Sequence, residues 1–139
     1  MNRILIVLAI IMAGLFSGIC VISFTSNPSD AEKHSENISS YEISPSDAKE
    51  IMNSDEPFIL LDVRTIEEFE DRHIPYATLL PSDEVVERAS LELPDKNALI
   101  IVYCNSGNRS AAATGELIDM GYTNVRDLGG IINWPYEIK

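Results

Sequence analysis

The chain has 139 residues, of which 45% are hydrophobic and 23% are charged. This composition is typical of one globular domain with a packed core, and it excludes a disordered or fibrous protein. The 22 Asp and Glu outnumber the 10 Lys and Arg, which gives a net charge of −12 that repels phosphate backbones and excludes nucleic-acid binding.

The amino terminus is strongly apolar. Residues 4–24 contain no charged side chain and follow Arg3. A helix of about 20 residues crosses a bilayer core, whereas the apolar core of a signal peptide has about 7 to 15 residues. Residues 1–24 are therefore predicted to be a transmembrane anchor or a signal peptide, with the uncleaved anchor favoured. The position of Arg3 predicts that the rest of the chain lies outside the cytoplasm, either anchored or exported after cleavage. Only this segment is expected to contact the membrane.

Residues 25–40 are rich in Ser, Asn and acidic side chains and contain one Ile. Such a segment buries too little apolar surface to fold alone, so it is predicted to be a polar linker. Asn37 and Ser39 match a glycosylation sequon, and whether Asn37 carries a glycan is left open. The folded domain is then expected to span residues 41–139.

Within the domain, short apolar runs alternate with helical patterns. Ser44, Pro45 and Asp47 predict the capped start of a helix, and Thr65 with Glu68 predicts a capping box that starts another. Strands are predicted at 58–63, 77–81, 98–103 and 124–128, and further helices at 82–93 and 110–120.

Two of these strands, FILLDV and ALIIVY, are apolar at consecutive positions. This pattern is typical of strands buried on both faces, and its alternation with helices predicts an α/β fold with a mostly parallel sheet. Ligand sites in such folds lie beyond the carboxyl ends of the strands. Cys104 directly follows the ALIIVY strand, so it is predicted to lie in that region.

The loop after this strand is suited to hold an anion. A thiol reacts as the thiolate, and its free pKa of about 8.5 falls near helix-terminal amides and cations. Gly107 relaxes the backbone, the following helix directs its positive end at the loop, and Arg109 adds a charge. The residues predicted to form this substrate-binding loop are Asn105, Ser106, Gly107, Asn108, Arg109 and Ser110.

A lone cysteine at a strand end is commonly a buried structural residue. The loop pattern favours a nucleophile here. The other cysteine, Cys20, lies in the predicted membrane segment, so Cys104 has no disulfide partner within its own domain. With only His34 and His73 as histidines, no metal site is expected.

Three segments add a more specific signal: ILLDVRTIEEFEDRHIP (59–75), IIVYCNSGNRSAAA (100–113) and GYTNVRDLGGIINW (121–134). In this order they resemble a single-domain rhodanese of the sulfurtransferase superfamily. The resemblance implies a rhodanese-like α/β domain over residues 41–139, with a parallel five-stranded sheet flanked by helices. It also implies that Cys104 accepts sulfane sulfur as a persulfide, without a cofactor.

The Cys-x4-Arg spacing of Cys104 and Arg109 resembles the sulfurtransferases, whereas related phosphatases have Cys-x5-Arg, so phosphatase activity is disfavoured. The expected reaction is attack by the Cys104 thiolate on a small donor such as thiosulfate, after which a thiol, cyanide or a protein acceptor removes the sulfur. Two alternatives stay open. One is a non-catalytic rhodanese module that binds a partner or carries sulfur, and the other is a thiol redox role.

Asp62 and Arg64 stand at the end of the strand expected beside the loop and are predicted to support the site. Asp62 could orient the loop through hydrogen bonds. Arg64 is expected to pair with Glu68 or another neighbouring acid rather than to touch substrate.

Three more residues are interpreted through the resemblance. His73 usually serves the fold in this family, and Trp134 is expected to pack near the site. Tyr76 departs from the family, which commonly has glycine after HIP, and this substitution leaves the shape of the local turn in question.

Overall fold

A computed structural model of the chain describes residues 41–139. They form a parallel four-stranded sheet in the order β2-β1-β3-β4, covered by helices on both faces. The elements are α1 (Pro45–Asn53), β1 (Phe58–Asp62), α2 (Ile66–Asp71), β2 (Thr78–Leu79), α3 (Val85–Glu92), β3 (Leu99–Cys104), α4 (Asn108–Asp119) and β4 (Val125–Gly130), followed by a 3-10 turn at Ile131–Asn133.

Both predicted helix starts are confirmed by their caps. The Ser44 hydroxyl accepts the Asp47 N–H at 3.1 Å, and Pro45 follows as the first helical residue of α1. In α2 the Thr65 hydroxyl accepts the Glu68 N–H at 3.3 Å, while the Glu68 carboxylate accepts the Thr65 N–H at 3.0 Å. These caps satisfy amides that lack partners in the first turn, so the start of each helix is set locally.

The prediction of five strands is wrong for the described residues, which form four. The segment nearest to a fifth strand makes one bridge, between Glu42 and Asp127, and the Ile43 N–H donates to the Asp127 carbonyl at 2.9 Å. The pairing stops there because Ser44 already caps α1 and Pro45 has no N–H to donate.

Other boundaries also differ from the prediction. The strand predicted at 77–81 is reduced to Thr78–Leu79, which lies at the edge of the sheet and pairs only with the end of β1. Tyr76 precedes it with a φ of +70°, in the left-handed region. The turn is therefore kept with a tyrosine in a conformation that favours glycine.

The central strands divide the core into two layers. On one face Leu61, Ile100 and Val102 pack with residues of α3 and α4. On the other face Leu60 and Ile101 are among the residues that pack with α1 and the carboxyl-terminal segment. Each fully buried side chain of this size contributes about 1.5–3 kcal/mol to folding. Burial of adjacent residues on opposite faces confirms the expectation from the consecutive apolar positions.

This sheet brings the carboxyl ends of its strands to one edge, where Asp62 pairs with Tyr103 and Cys104 pairs with Gly130.

No helix within residues 41–139 is long and apolar enough to cross a membrane. The predicted anchor or signal peptide at 1–24 and the linker at 25–40 lie outside the described residues, so both stay predictions.

Candidate active site

The sheet itself fixes the position of the cysteine. Cys104 is the last residue of β3 and is almost fully buried, whereas the sequence predicted that it would follow the strand. Its Sγ accepts a hydrogen bond from the Gly107 N–H at 3.1 Å. The loop at 105–109 therefore turns back on the end of its own strand and presents an amide to the thiol.

Gly107 allows this turn. Its φ of +109° lies in the left-handed region, and as the cap residue it lets α4 begin at Asn108, two residues before the predicted start. The Ser106 and Asn108 side chains are exposed, and Asn105 is half-buried. The backbone of the loop thus faces the sulfur while three of its side chains remain in contact with solvent.

Two opposing effects act on the thiol. Burial raises the pKa of Cys104, but interactions with the backbone N–H groups of Ser110, Gly107 and Ser106 and with the Ser110 side chain together lower it by more, so that the net pKa lies below its ordinary value. Hydrogen bonds and the positive end of a helix favour the charged form of an acid. The arrangement therefore supports a thiolate at Cys104.

The neighbouring strand holds the loop in place. The Ser110 hydroxyl donates to the Gly107 carbonyl at 2.9 Å and lies 3.3 Å from the Gly129 carbonyl. A Cβ atom on Gly130 would lie 2.6 Å from the Asn105 carbonyl oxygen, so only glycine fits there. Gly130 lies within the segment 121–134 that resembles the rhodanese family, but no role could be predicted for it, because a close backbone contact between distant segments leaves no local signal.

Arg109 does not carry a free charge into the loop. Its guanidinium donates to the two Glu68 oxygens at 2.7 and 2.9 Å, and this hydrogen bonding lowers the pKa of Glu68 to about 2. Glu68 was predicted only as a helix cap and as one possible partner of Arg64. Its contact with Arg109, 41 residues away in the chain, could not be predicted from local pattern.

Arg64 pairs instead with Asp62, in a buried contact. Its Nε and Nη2 donate to the Asp62 carboxylate at 3.0 and 2.6 Å, and Nη2 also donates to the Arg72 carbonyl at 2.7 Å. The predicted pairing of Arg64 with a neighbouring acid is present. Among residues 41–139, the Asp62 carboxylate is hydrogen-bonded to Arg64 and not to the cysteine loop, so it orders the turn after β1.

His73 and Trp134 lie in the framework around the site. The His73 Nδ1 is 2.8 Å from the Phe69 carbonyl, and its ring stacks on the Phe69 ring with centroids 4.0 Å apart. Trp134 packs in the core layer that contains Ile131, and its Nε1 donates to the Glu137 carbonyl at 3.2 Å. Both residues are used for packing and hydrogen bonds within the fold. No group of side chains within residues 41–139 is arranged to hold a metal ion.

A thiol that accepts a hydrogen bond from a loop amide at the carboxyl edge of a parallel sheet is an arrangement suited to thiol-based group transfer. The sequence model of the rhodanese-like domain matches residues 44–136, and the chain belongs to this family. Several relatives that match this chain carry the word sulfurtransferase in their names.

Three similar proteins illustrate the relationship. Thiosulfate sulfurtransferase PspE of Escherichia coli is 42% identical over 51% of this chain and 68% of its own length. Adenylyltransferase and sulfurtransferase UBA4 of Meyerozyma guilliermondii is 39% identical over 69% of this chain, which spans only 24% of that larger protein. The solved structure of a rhodanese with anions from E. coli has a TM-score of 0.56 and 36% identity, covering 60% of this chain and 98% of its own.

Proposed function

We propose that the protein is a sulfurtransferase that moves sulfane sulfur from a donor such as thiosulfate to a thiophilic acceptor, through a persulfide on Cys104. The observation that carries the proposal is the hydrogen bond of 3.1 Å from the Gly107 N–H to Sγ, within a loop whose amides lower the pKa of the thiol. The same amides can hold the outer sulfur of a persulfide anion. The likeness to a thiosulfate sulfurtransferase supports thiosulfate as a donor.

The reaction has two steps. The Cys104 thiolate attacks the outer sulfur of thiosulfate, the sulfur–sulfur bond of the donor breaks, and sulfite leaves with its electron pair. The product is the Cys104 persulfide anion, so mass and charge balance. In the second step a thiol, cyanide or a protein cysteine attacks the outer sulfur and regenerates the thiolate. The chemistry uses no organic cofactor or metal.

The test is intact-mass spectrometry of the purified full-length protein after treatment with thiosulfate. We expect a gain of one sulfur atom that cyanide removes, and no gain in Cys104→Ser. Circular dichroism of Cys104→Ser checks that the variant is folded. Sulfur addition that survives in folded Cys104→Ser would contradict the persulfide mechanism.

A second candidate is a module that receives or carries sulfur from a partner protein without turning over small donors. It is favoured by charge: residues 41–139 contain 19 acidic and 8 basic residues, a balance of −11. A domain of this charge does not attract a thiosulfate dianion from beyond a Debye length of about 8–10 Å. Absence of the added sulfur with thiosulfate, together with loading from a protein persulfide, would select this candidate.

A further inference from the structure

Both arginines beside the site are neutralised by carboxylates. Arg64 is paired with buried Asp62, and Arg109 makes two hydrogen bonds to Glu68. On the other side of the loop, the buried Asp127 carboxylate of β4 accepts the Gly129 N–H at 2.8 Å. An approaching anion therefore meets amide dipoles at Cys104, but neither arginine offers it an uncompensated charge.

Glu68 is held in this position from two sides. Its Oε2 accepts the Thr65 N–H at 3.0 Å as part of the capping box, and the same oxygen accepts a hydrogen bond from Arg109 at 2.7 Å. With a pKa of about 2, the carboxylate stays ionised at neutral pH. Hydrogen bonding to Glu68 raises the pKa of Arg109, and the charge of the Cys104 thiolate raises it further. Arg109 lies in the first turn of α4, two residues after the Gly107 whose N–H donates to the Cys104 Sγ at 3.1 Å, so the guanidinium and the sulfur belong to the same loop and their charges act on each other.

We propose that Glu68 determines donor preference: by cancelling the charge of Arg109, it weakens the attraction of Cys104 for small dianionic sulfur donors relative to less charged ones. This inference rests on the proposed sulfurtransferase function and adds a specificity-determining residue to it. Among residues 41–139, Glu68 makes no hydrogen bond to the sulfur or to the loop amides, so it acts by adding a negative charge that offsets the field of Arg109.

Two donors that differ in charge can isolate this effect. Thiosulfate carries two negative charges, whereas methanethiosulfonate carries one and presents the same kind of sulfur–sulfur bond. Attack by the Cys104 thiolate gives the same persulfide from both, with sulfite leaving from the first and methanesulfinate from the second. Because both donors react with the same thiolate, their ratio cancels any change in the pKa or nucleophilicity of Cys104.

The variant is Glu68→Gln in the full-length protein. Gln can replace Glu in a capping box, so the start of α2 is retained. The matched control is Glu67→Gln, which removes the same charge from an exposed neighbour on the same helix. The second-order rate of Cys104 loading is measured for each donor from the time course of the mass gain, at low and high salt.

Electrostatic free energy is proportional to the charge of the donor. At low salt we expect Glu68→Gln to speed loading about tenfold with thiosulfate and about threefold with methanethiosulfonate, because the logarithm of the gain doubles with donor charge. The gain should shrink in high salt, and Glu67→Gln should change either rate less than about twofold.

Equal gains for the two donors, or the same gains in Glu67→Gln, would overturn the assignment while leaving the persulfide mechanism in place. If neither donor loads Cys104 in the wild-type protein or in either variant, the proposed function fails instead. The two failures are therefore distinguishable in a single set of time courses.

Discussion

Gly130→Ala is expected to displace the cysteine loop at 105–109 while the domain still folds. The new Cβ would lie 2.6 Å from the Asn105 carbonyl oxygen and 2.8 Å from the Ser106 Cα, and both are backbone atoms that cannot rotate away. Ordinary contact begins at 3.4 Å, so the loop must move by about 0.8 Å at the Asn105 carbonyl. Overpacking of this kind costs about 1–3 kcal/mol of stability.

Gly130→Ala should also lower the rate of Cys104 loading, by more than its loss of stability alone would cause. The moved loop carries the Gly107 N–H that lies 3.1 Å from the Cys104 Sγ. Displacements of about 1 Å at a catalytic site can lower rates by about a hundredfold, so we expect loading by thiosulfate to fall at least about tenfold. Because a stabilising hydrogen bond is weakened, the pKa of Cys104 should rise, which is measured by the pH dependence of alkylation.

Gly129→Ala provides the matched control. A Cβ on Gly129 has no heavy atom within 4 Å, but its φ of +81° is strained for alanine, at a cost of about 1–2 kcal/mol. Urea denaturation should therefore show similar losses of stability in the two variants, while only Gly130→Ala slows loading strongly. Equal loading rates in the two variants would refute the argument that the close contact at Gly130 positions the loop.

Three further predictions concern stability. Tyr76→Gly should raise the free energy of unfolding, measured in urea, by about 0.5–1 kcal/mol, because the exposed Tyr76 holds a φ of +70° that strains its backbone. A decrease would show that the tyrosine ring stabilises the fold by more than this backbone strain costs. Thr114→Val should stabilise by about 1 kcal/mol, since the buried Thr114 hydroxyl has no partner within residues 41–139; Thr114→Ser keeps the hydroxyl and should show no such gain in thermal unfolding. The hydrogen bonds to ionised Glu68 lower its pKa from an ordinary 4.5 to about 2. They therefore stabilise the folded domain fully above about pH 4.5, and this stability is lost as the pH falls towards 2. The stability difference between wild type and Glu68→Gln should shrink over that interval, and a constant difference would contradict it.

The sequence predicted those features that depend on neighbouring residues. Ser44 and Thr65 identified two helix starts because a cap and its amide lie three residues apart. Consecutive apolar positions identified β1 and β3 because strands covered on both faces need no polar side. The α/β class and the position of Cys104 at the carboxyl edge followed from these elements.

Contacts between distant segments were not predictable in the same way. Glu68 had a sufficient local role as a helix cap, so nothing in its surroundings indicated the bond to Arg109. The predicted number of strands was wrong for a related reason. The family pattern implied five, but the Ser44 cap and Pro45, the first residue of α1, limit pairing on β4 to a single bridge at Glu42.

The groups that lower the pKa of the Cys104 thiol differ from the side chains that its loop exposes to solvent. The hydrogen bonds that lower the pKa of Cys104 come mainly from backbone amides, whose directions depend on Gly107 and Gly130. The Ser106 and Asn108 side chains point to solvent. Under the proposed function, we expect substitutions at Ser106 and Asn108 to change the loading rates of individual donors while the pKa of Cys104 stays low. Substitution at Gly107 or Gly130 should instead raise that pKa and slow loading by every donor.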